Sequence, residues 1–258
     1  MDVLLTVAAG ILGLAIGSFL NVCIDRLPRG ESIVTRRSYC EACGRRLPPG
    51  DLVPVLSYLV LRGRCRSCGA HIPLRVLIVE LLTGIAFAAI VFTYSLTPVG
   101  LLLLLYTCIL VVVFFTDLEQ GLILNIVVYP SIIIALLAAL TVEPWWLGRI
   151  GPIPLVSAAL GAVTGFVFLF VVAVASRGGM GWGDVKFAAF MGAAVGFPLI
   201  LVALFTGIVV GGATGAVLLL SGRKSRRQAI PFGPFLAIGT MVTLLWGQQM
   251  LEWYLALM

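Results

Sequence analysis

From Val3 to Cys23 the chain is apolar at almost every position, and long apolar runs recur to its end, interrupted by short polar or glycine-rich stretches. The runs are continuous rather than alternating: VGLLLLLYTCILVVVFF, residues 99–115, has no polar residue at every second place. A membrane β-strand would show that alternation, whereas a helix of about 20 apolar residues crosses a bilayer. Breakers set the limits of the predicted spans. The first five fall near residues 3–23, 74–94, 98–116, 122–141 and 153–175. From Val185 to Ser221 the chain stays apolar for longer than one span needs, and Gly196–Phe197–Pro198 divides it, because proline disrupts a helix interior. An eighth span covers about 235–256, after the basic stretch GRKSRRQAIPFGP. The pattern predicts an all-α polytopic membrane protein of about eight transmembrane helices. A polar domain, residues 24–73, separates the first helix (1–23) from the membrane domain (74–258).

Composition agrees with this pattern. Hydrophobic residues make up 61% of the 258, charged residues 11%, and the mean hydropathy is +1.14; a soluble domain has about 25% charged residues. Asp2 precedes the first run, which lacks the basic start of a secretory signal, so a retained helix is expected. The stretch SFLNVC lacks the small residue that precedes a lipidated cysteine, leaving Cys23, like Cys108, a packing residue.

Charge predicts orientation. Of the 17 Lys and Arg, nine lie in 24–73, Arg75 just beyond, four in Arg223–Arg227, and Arg177 and Lys186 flank a glycine stretch. With eight spans all of these share one side, and only Arg149 falls on the other. The positive-inside rule makes the shared side cytoplasmic and puts both termini outside. The net charge of +6 is accounted for by basic loops against anionic lipid. It calls for no nucleic-acid partner.

The polar domain holds CEAC (Cys40, Cys43) and CRSC (Cys65, Cys68), with 21 residues between the pairs. Four thiolates in such a pattern suit a tetrahedral Zn²⁺, although the usual gap is about 15–20 residues. Glycines follow Cys43 and Cys68 and favour the tight turn of a zinc knuckle. Disulfides are rare in the cytoplasm. With every position filled by protein, the site would be structural, and a domain of some 50 residues gains the stability that its small core lacks. His71, the only histidine, reads most simply as a polar residue at the membrane edge.

Most carboxylates fall in polar segments, where solvated charge explains them. Glu80, within the second span, Asp117, at the end of the third, and Asp184, in GGMGWGDVK (178–186), sit within or at the rim of spans, where an acid is costly and is a functional candidate. The predicted topology puts Asp117 and Asp184 at one depth. Two such carboxyls cannot easily both ionise, so they can divide hydrolysis between a general base and a general acid. The alternative is that each caps a helix near the headgroups, and topology alone leaves both readings open. A membrane zinc or ion carrier with two transport aspartates is a third.

The run GWGDVK (181–186) contains a GxGD-x-K motif. Together with GSFLNVCIDRLPRGES (17–32), the cysteine segment running into the second span (40–84) and IPFGPFLAIG (230–239), it resembles the type IV prepilin peptidases, the leader peptidases/N-methyltransferases among the GxGD membrane aspartic proteases. The resemblance implies that Asp117 and Asp184 are the catalytic pair. It implies cleavage of the basic leader of prepilins or pseudopilins after a glycine, at the cytoplasmic face of the bacterial inner membrane. N-methylation with S-adenosylmethionine would follow; relatives lacking the cysteine domain are associated with cleavage alone. No glycine-rich nucleotide fingerprint marks a methyl-donor site, which is expected near Glu80 and the cysteine domain. A GxGD protease acting on other membrane proteins is the alternative within this class. Gly181 and Gly183 are expected to let substrate or water approach. Lys186, pointing away from Asp184 on a helix, is expected to anchor at the headgroups or touch substrate. One departure stands out: DLEQGLILN has Leu124 where the family has proline, with Asn125 retained.

Overall fold

The computed structural model describes residues 3–35, 37–142, 154–176, 178–221 and 230–257. Asp2, Arg149, Arg177 and the basic run 223–227, all used in the sequence reading, lie outside the described residues. Among those described there is no β-strand, only the isolated bridges Tyr39–Arg46 and Arg64–His71. The helices are α1 (Val3–Arg26), α2 (Leu56–Val60), α3 (Leu74–Tyr94), α4 (Pro98–Gln120), α5 (Asn125–Thr141), α6 (Pro154–Ala175), α7 (Trp182–Val195), α8 (Leu199–Leu220) and α9 (Gly233–Ala256).

The punctuation of the sequence sets these limits. Proline opens α4 and α6 and immediately precedes α3 and α8, positions where its missing N–H costs nothing. Gly121 (φ 64°) and Gly196 (φ 76°) end α4 and α7 in a conformation that L side chains rarely adopt. α1 runs three residues past the predicted Cys23 and takes in Asp25 and Arg26.

Five helices, α1, α3, α4, α6 and α8, are long and apolar enough to cross a membrane. Three others stand where spans were expected. α5 has 17 residues, α7 has 14, and α9 dilutes its apolar stretch with Gln248, Gln249 and Glu252. Large apolar side chains face outward on the long helices, for example Leu201, Phe205 and Val209 of α8 and Val163 and Val171 of α6. Exposed apolar surface on that scale belongs against lipid, so the chain is a multi-pass membrane protein.

The chain forms two compact units, Met1–Val112 and Val113–Met258, with the division inside α4. In the first, α1 packs on α3. A Cβ on Gly17 would come within 2.8 Å of Glu80 Cα, and one on Gly13 within 2.9 Å of Gly84 Cα, so glycine allows this approach. In the second unit α7 is central, touching α5, α6, α8 and α9. Ten of its residues, from Asp184 to Val195, are buried. Fourteen residues span only about 21 Å, less than the roughly 30 Å hydrocarbon core. α7 is therefore a helix wrapped by protein, which explains why it is apolar all round. Gly161 and Gly165 of α6 lie directly against the backbone of Gly192 and Ala188, and Ser157 Oγ donates to Phe197 O at 2.9 Å beyond α7.

Candidate active site

Asp117 closes α4, three residues before its end, and is 5% exposed. Its Oδ2 accepts a hydrogen bond of 2.8 Å from the backbone N–H of Gly233, the first residue of α9. An N–H at a helix start has no partner within the helix and carries partial positive charge, so it suits a carboxylate. A Cβ on Gly233 would sit 2.7 Å from that oxygen. Only glycine permits the bond in this geometry.

Asp184 is the third residue of α7, in the first turn, and is 8% exposed. Its Oδ2 lies against Gly181, where a Cβ would be 3.3 Å away. Its Oδ1 is buried and has no hydrogen-bond partner among the described residues. Buried polar atoms are almost always paired, and an orphan calls for a reason, such as a water or a substrate group. Asp117 and Asp184 are within electrostatic reach of each other. Tertiary folding thus brings together two acids 67 positions apart in the sequence.

The two motif glycines differ. Gly181 is exposed and leaves space beside Asp184. Gly183 is not open to a substrate: a Cβ there would meet Ile123 Cβ at 2.8 Å, so its missing side chain lets α7 begin against the α4–α5 connection. Lys186 turns away from Asp184 as helical spacing requires, but it does not stand alone at a rim. Its Nζ donates to Asn125 Oδ1 at 3.0 Å and lies 5.6 Å from the centroid of the Tyr129 ring. It thereby fastens α7 to the first turns of α5. Leu124 precedes α5 with φ −78° and ψ 124°, a backbone that proline also adopts, so the departure from the family pattern leaves the local conformation intact.

Sequence reasoning missed Gly233 as a site residue and gave Asn125 no role. The Gly-Pro pair marked a helix start, and nothing local showed that its N–H meets a carboxylate 116 residues earlier.

Glu80 and the two aspartates belong to different units. Glu80 lies on α3 in the first unit, 4% exposed, and its Oε2 accepts from Val55 N–H at 2.7 Å. Val55 has a positive φ of 62°, unusual for a β-branched residue, and this bond helps to hold it there.

The Sγ atoms of Cys40, Cys43, Cys65 and Cys68 all lie within 4.8 Å of one another, as free thiols. The two halves repeat one turn. Cys40 N–H bonds Arg45 O (2.9 Å) and Gly44 N–H bonds Cys40 O (2.8 Å); Cys65 N–H bonds Ala70 O (2.8 Å) and Gly69 N–H bonds Cys65 O (2.9 Å). Gly44 and Gly69 take φ of 69° and 71°. Sulfurs bound tetrahedrally at about 2.3 Å would lie about 3.8 Å apart, and Cys40 and Cys68 are separated by 3.9 Å. The residues fit a four-thiolate metal ion. The backbone N–H groups of Cys68 and Ser67 lower the Cys65 thiol to about 7, while burial and the neighbouring thiols raise Cys68 to about 11, so within the cluster Cys65 is the first to become thiolate. His71 is exposed, with Nδ1 3.5 Å from Ile72 O, and lies outside the sulfur cluster.

The fold and site define a polytopic membrane protein with a paired-carboxylate centre and a four-cysteine domain. Residues 11–94 match the Bacterial Peptidase A24 N-terminal domain, and residues 104–216 match the Type IV leader peptidase family. The chain is 32% identical over 247 residues to the prepilin leader peptidase/N-methyltransferase of Bacillus subtilis (strain 168), covering 95% of this chain and 96% of that one. It is 34% identical to the protein of the same name from Aeromonas salmonicida (strain A449), over 95% of this chain and 92% of that one. The corresponding figures for the Pseudomonas aeruginosa protein are 31%, 95% and 91%. No solved structure matches. The chain belongs to the type IV leader peptidase family.

Proposed function

We propose that this protein removes the leader peptide of prepilins or pseudopilins with Asp117 and Asp184 and then N-methylates the new N-terminus. The observation that carries the peptidase reading is the orphaned, buried Oδ1 of Asp184, within reach of an Asp117 whose Oδ2 is held by Gly233 N–H. One carboxylate takes a proton from water as its oxygen attacks the scissile carbonyl. The protonated partner donates to the carbonyl oxygen; the tetrahedral adduct then collapses as the carboxyl that took water's proton gives it to the leaving amine and the partner recovers its own from the hydroxyl that becomes the new carbonyl. Gly181 leaves an open approach beside Asp184.

The cysteine cluster is read as a closed, structural Zn²⁺ site, because cysteine fills all four places and zinc favours thiolate tetrahedra. The methyl donor is read as S-adenosylmethionine, and the membrane as the bacterial inner membrane with eight crossings. The aspartates, the cysteine domain and most of the basic residues then face the cytoplasm, with both termini outside.

The test is processing of a co-expressed prepilin. Asp117→Asn and Asp184→Asn should each abolish cleavage while the protein remains in the membrane. Full processing by either variant rejects the dyad.

A further inference from the structure

α2 lies in the polar segment, yet its outer face is apolar. Leu56, Leu59 and Val60 are 61%, 58% and 75% exposed, and the spacings i, i+3 and i+4 put them on one face of the helix. Leu52 and Val53, just before α2, are exposed as well. Single exposed apolar residues are ordinary on a protein surface, whereas a cluster such as this belongs against an apolar partner. Neither the paired aspartates nor the four cysteines make use of it.

The level of α2 along α3 identifies the partner. α3 has 21 residues, a length of about 31 Å, which matches a hydrocarbon core of about 30 Å. Its Leu74, Ile78, Leu82 and Ile85 are exposed, as a lipid-facing side requires. Glu80 comes six residues after Leu74, about 9 Å along the helix. Its bond from Val55 N–H brings the chain to that level just before α2 begins. Val55 (φ 62°, ψ −52°) is the centre of a γ-turn closed by Leu56 N–H to Pro54 O at 2.6 Å, which reverses the chain. Three residues past α2, Gly63 O accepts from Ile72 N–H at 2.8 Å, two residues ahead of α3. α2 therefore rises beside α3 from near Glu80 to the helix start. The Glu80 side chain leans towards that start, so α2 occupies the outer part of the span, at the depth of about 5–10 Å where interfacial helices lie.

The backbone suits lipid contact, where main-chain polar groups must be paired. Pro54 has no N–H, and that of Val55 meets Glu80. Those of Ser57, Leu59 and Leu61 meet the carbonyls of Val53, Val55 and Ser57, each at 3.0 Å. Arg62 and Arg64 follow at the level of the α3 start. Both are exposed and have no side-chain partner among the described residues, unlike Arg66 and Arg75, which pair with Asp51 and Asp25. We propose that residues 52–60 dip into the bilayer beside α3, with Leu56, Leu59 and Val60 against phospholipid acyl chains and Arg62 and Arg64 reaching the phosphates. The cysteine domain is thereby seated on the membrane by an apolar foot of its own. The proposal rests on α3 being a membrane span and on neither the peptidase nor the methylation reading.

The experiment uses the full chain reconstituted in vesicles of phosphatidylethanolamine and phosphatidylglycerol. These contain a phospholipid with a diazirine near the carbonyl end of one acyl chain, and after illumination the labelled peptides are mapped by mass spectrometry. Label on residues 52–60 should come within about threefold of that on 74–85. In Leu56→Glu/Leu59→Glu the label on 52–60 should fall about tenfold, because a charge is costly among acyl chains, while 74–85 is labelled as before. In parallel, a diazirine amino acid in place of Leu59 should crosslink to lipid. Label on 74–85 without label on 52–60 overturns the proposal, as does equal labelling of 52–60 in the double variant. Crosslinking from the Leu59 position to residues 113–258, or to a second copy of the chain, gives the face to protein and also overturns it. An unlabelled 74–85 removes the span on which the proposal rests, whatever the enzyme does to prepilin.

Discussion

Asp117 Oδ2 is held 2.8 Å from the backbone N–H of Gly233. The end of α4 is thus fixed to the start of α9, and one aspartate of the proposed pair is oriented by a main-chain donor rather than by a side chain. The bond depends on a residue without a Cβ.

Gly233→Ala should therefore act on catalysis. Its Cβ would stand 2.7 Å from Oδ2 and 3.0 Å from Cγ of Asp117, so the carboxyl must move. A displacement of about 1 Å at a reacting group costs on the order of 100-fold in rate. Prepilin cleavage by Gly233→Ala should fall by about that factor, while the amount of protein in the membrane stays near that of the unmodified chain.

Lys186 and Asn125 should behave as a unit. Their bond is 3.0 Å long, and a hydrogen bond to a charged group contributes about 1.5–3 kcal/mol, less where solvent reaches it. The double variant Lys186→Ala/Asn125→Ala should be scarcely less stable in detergent than the worse single one, with a coupling of about 1 kcal/mol in thermal or denaturant unfolding. Simple additivity would remove the contact from the account of Lys186.

The cysteine domain should hold one equivalent of zinc per chain, and Cys40→Ser should lower that content. Protons compete with metal for thiolate. Cys65, whose thiol the N–H groups of Cys68 and Ser67 lower, favours metal at neutral pH, and acidification should release it. Metal analysis after dialysis over a pH series checks the direction. Loss of zinc on raising the pH from 6 to 8 would contradict it.

Leu124→Pro should be tolerated. The backbone at this position, φ −78° and ψ 124°, is within proline's range, and such a replacement at a compatible site stabilises by about 0.4–1 kcal/mol through the unfolded chain. An unchanged or slightly raised melting temperature, with cleavage retained, is the expected result.

The secondary structure was largely legible. The expected second span, 74–94, is α3 to the residue, and prolines and glycines marked most other helix ends, because breaking a helix is a local property of the backbone. The turns at Gly44 and Gly69 were legible for the same reason. The role of Gly183 was not, because Ile123, which fills the space beside it, arrives from another part of the chain.

The sequence by itself determined that the chain folds as apolar helices with a four-cysteine domain, and it offered Asp117 and Asp184 as candidates. Hydropathy and spacing are sums over neighbours in the chain, and these features need nothing more. Tertiary structure alone decided that α7 is wrapped by α5, α6, α8 and α9, that Gly233 orients Asp117, and that Lys186 reaches Asn125. Each is a pairing between segments distant in sequence, set by which helix faces can approach closely. That approach is fixed by shape, as where Gly161 meets Gly192, and shape is absent from a one-dimensional pattern of polar and apolar residues.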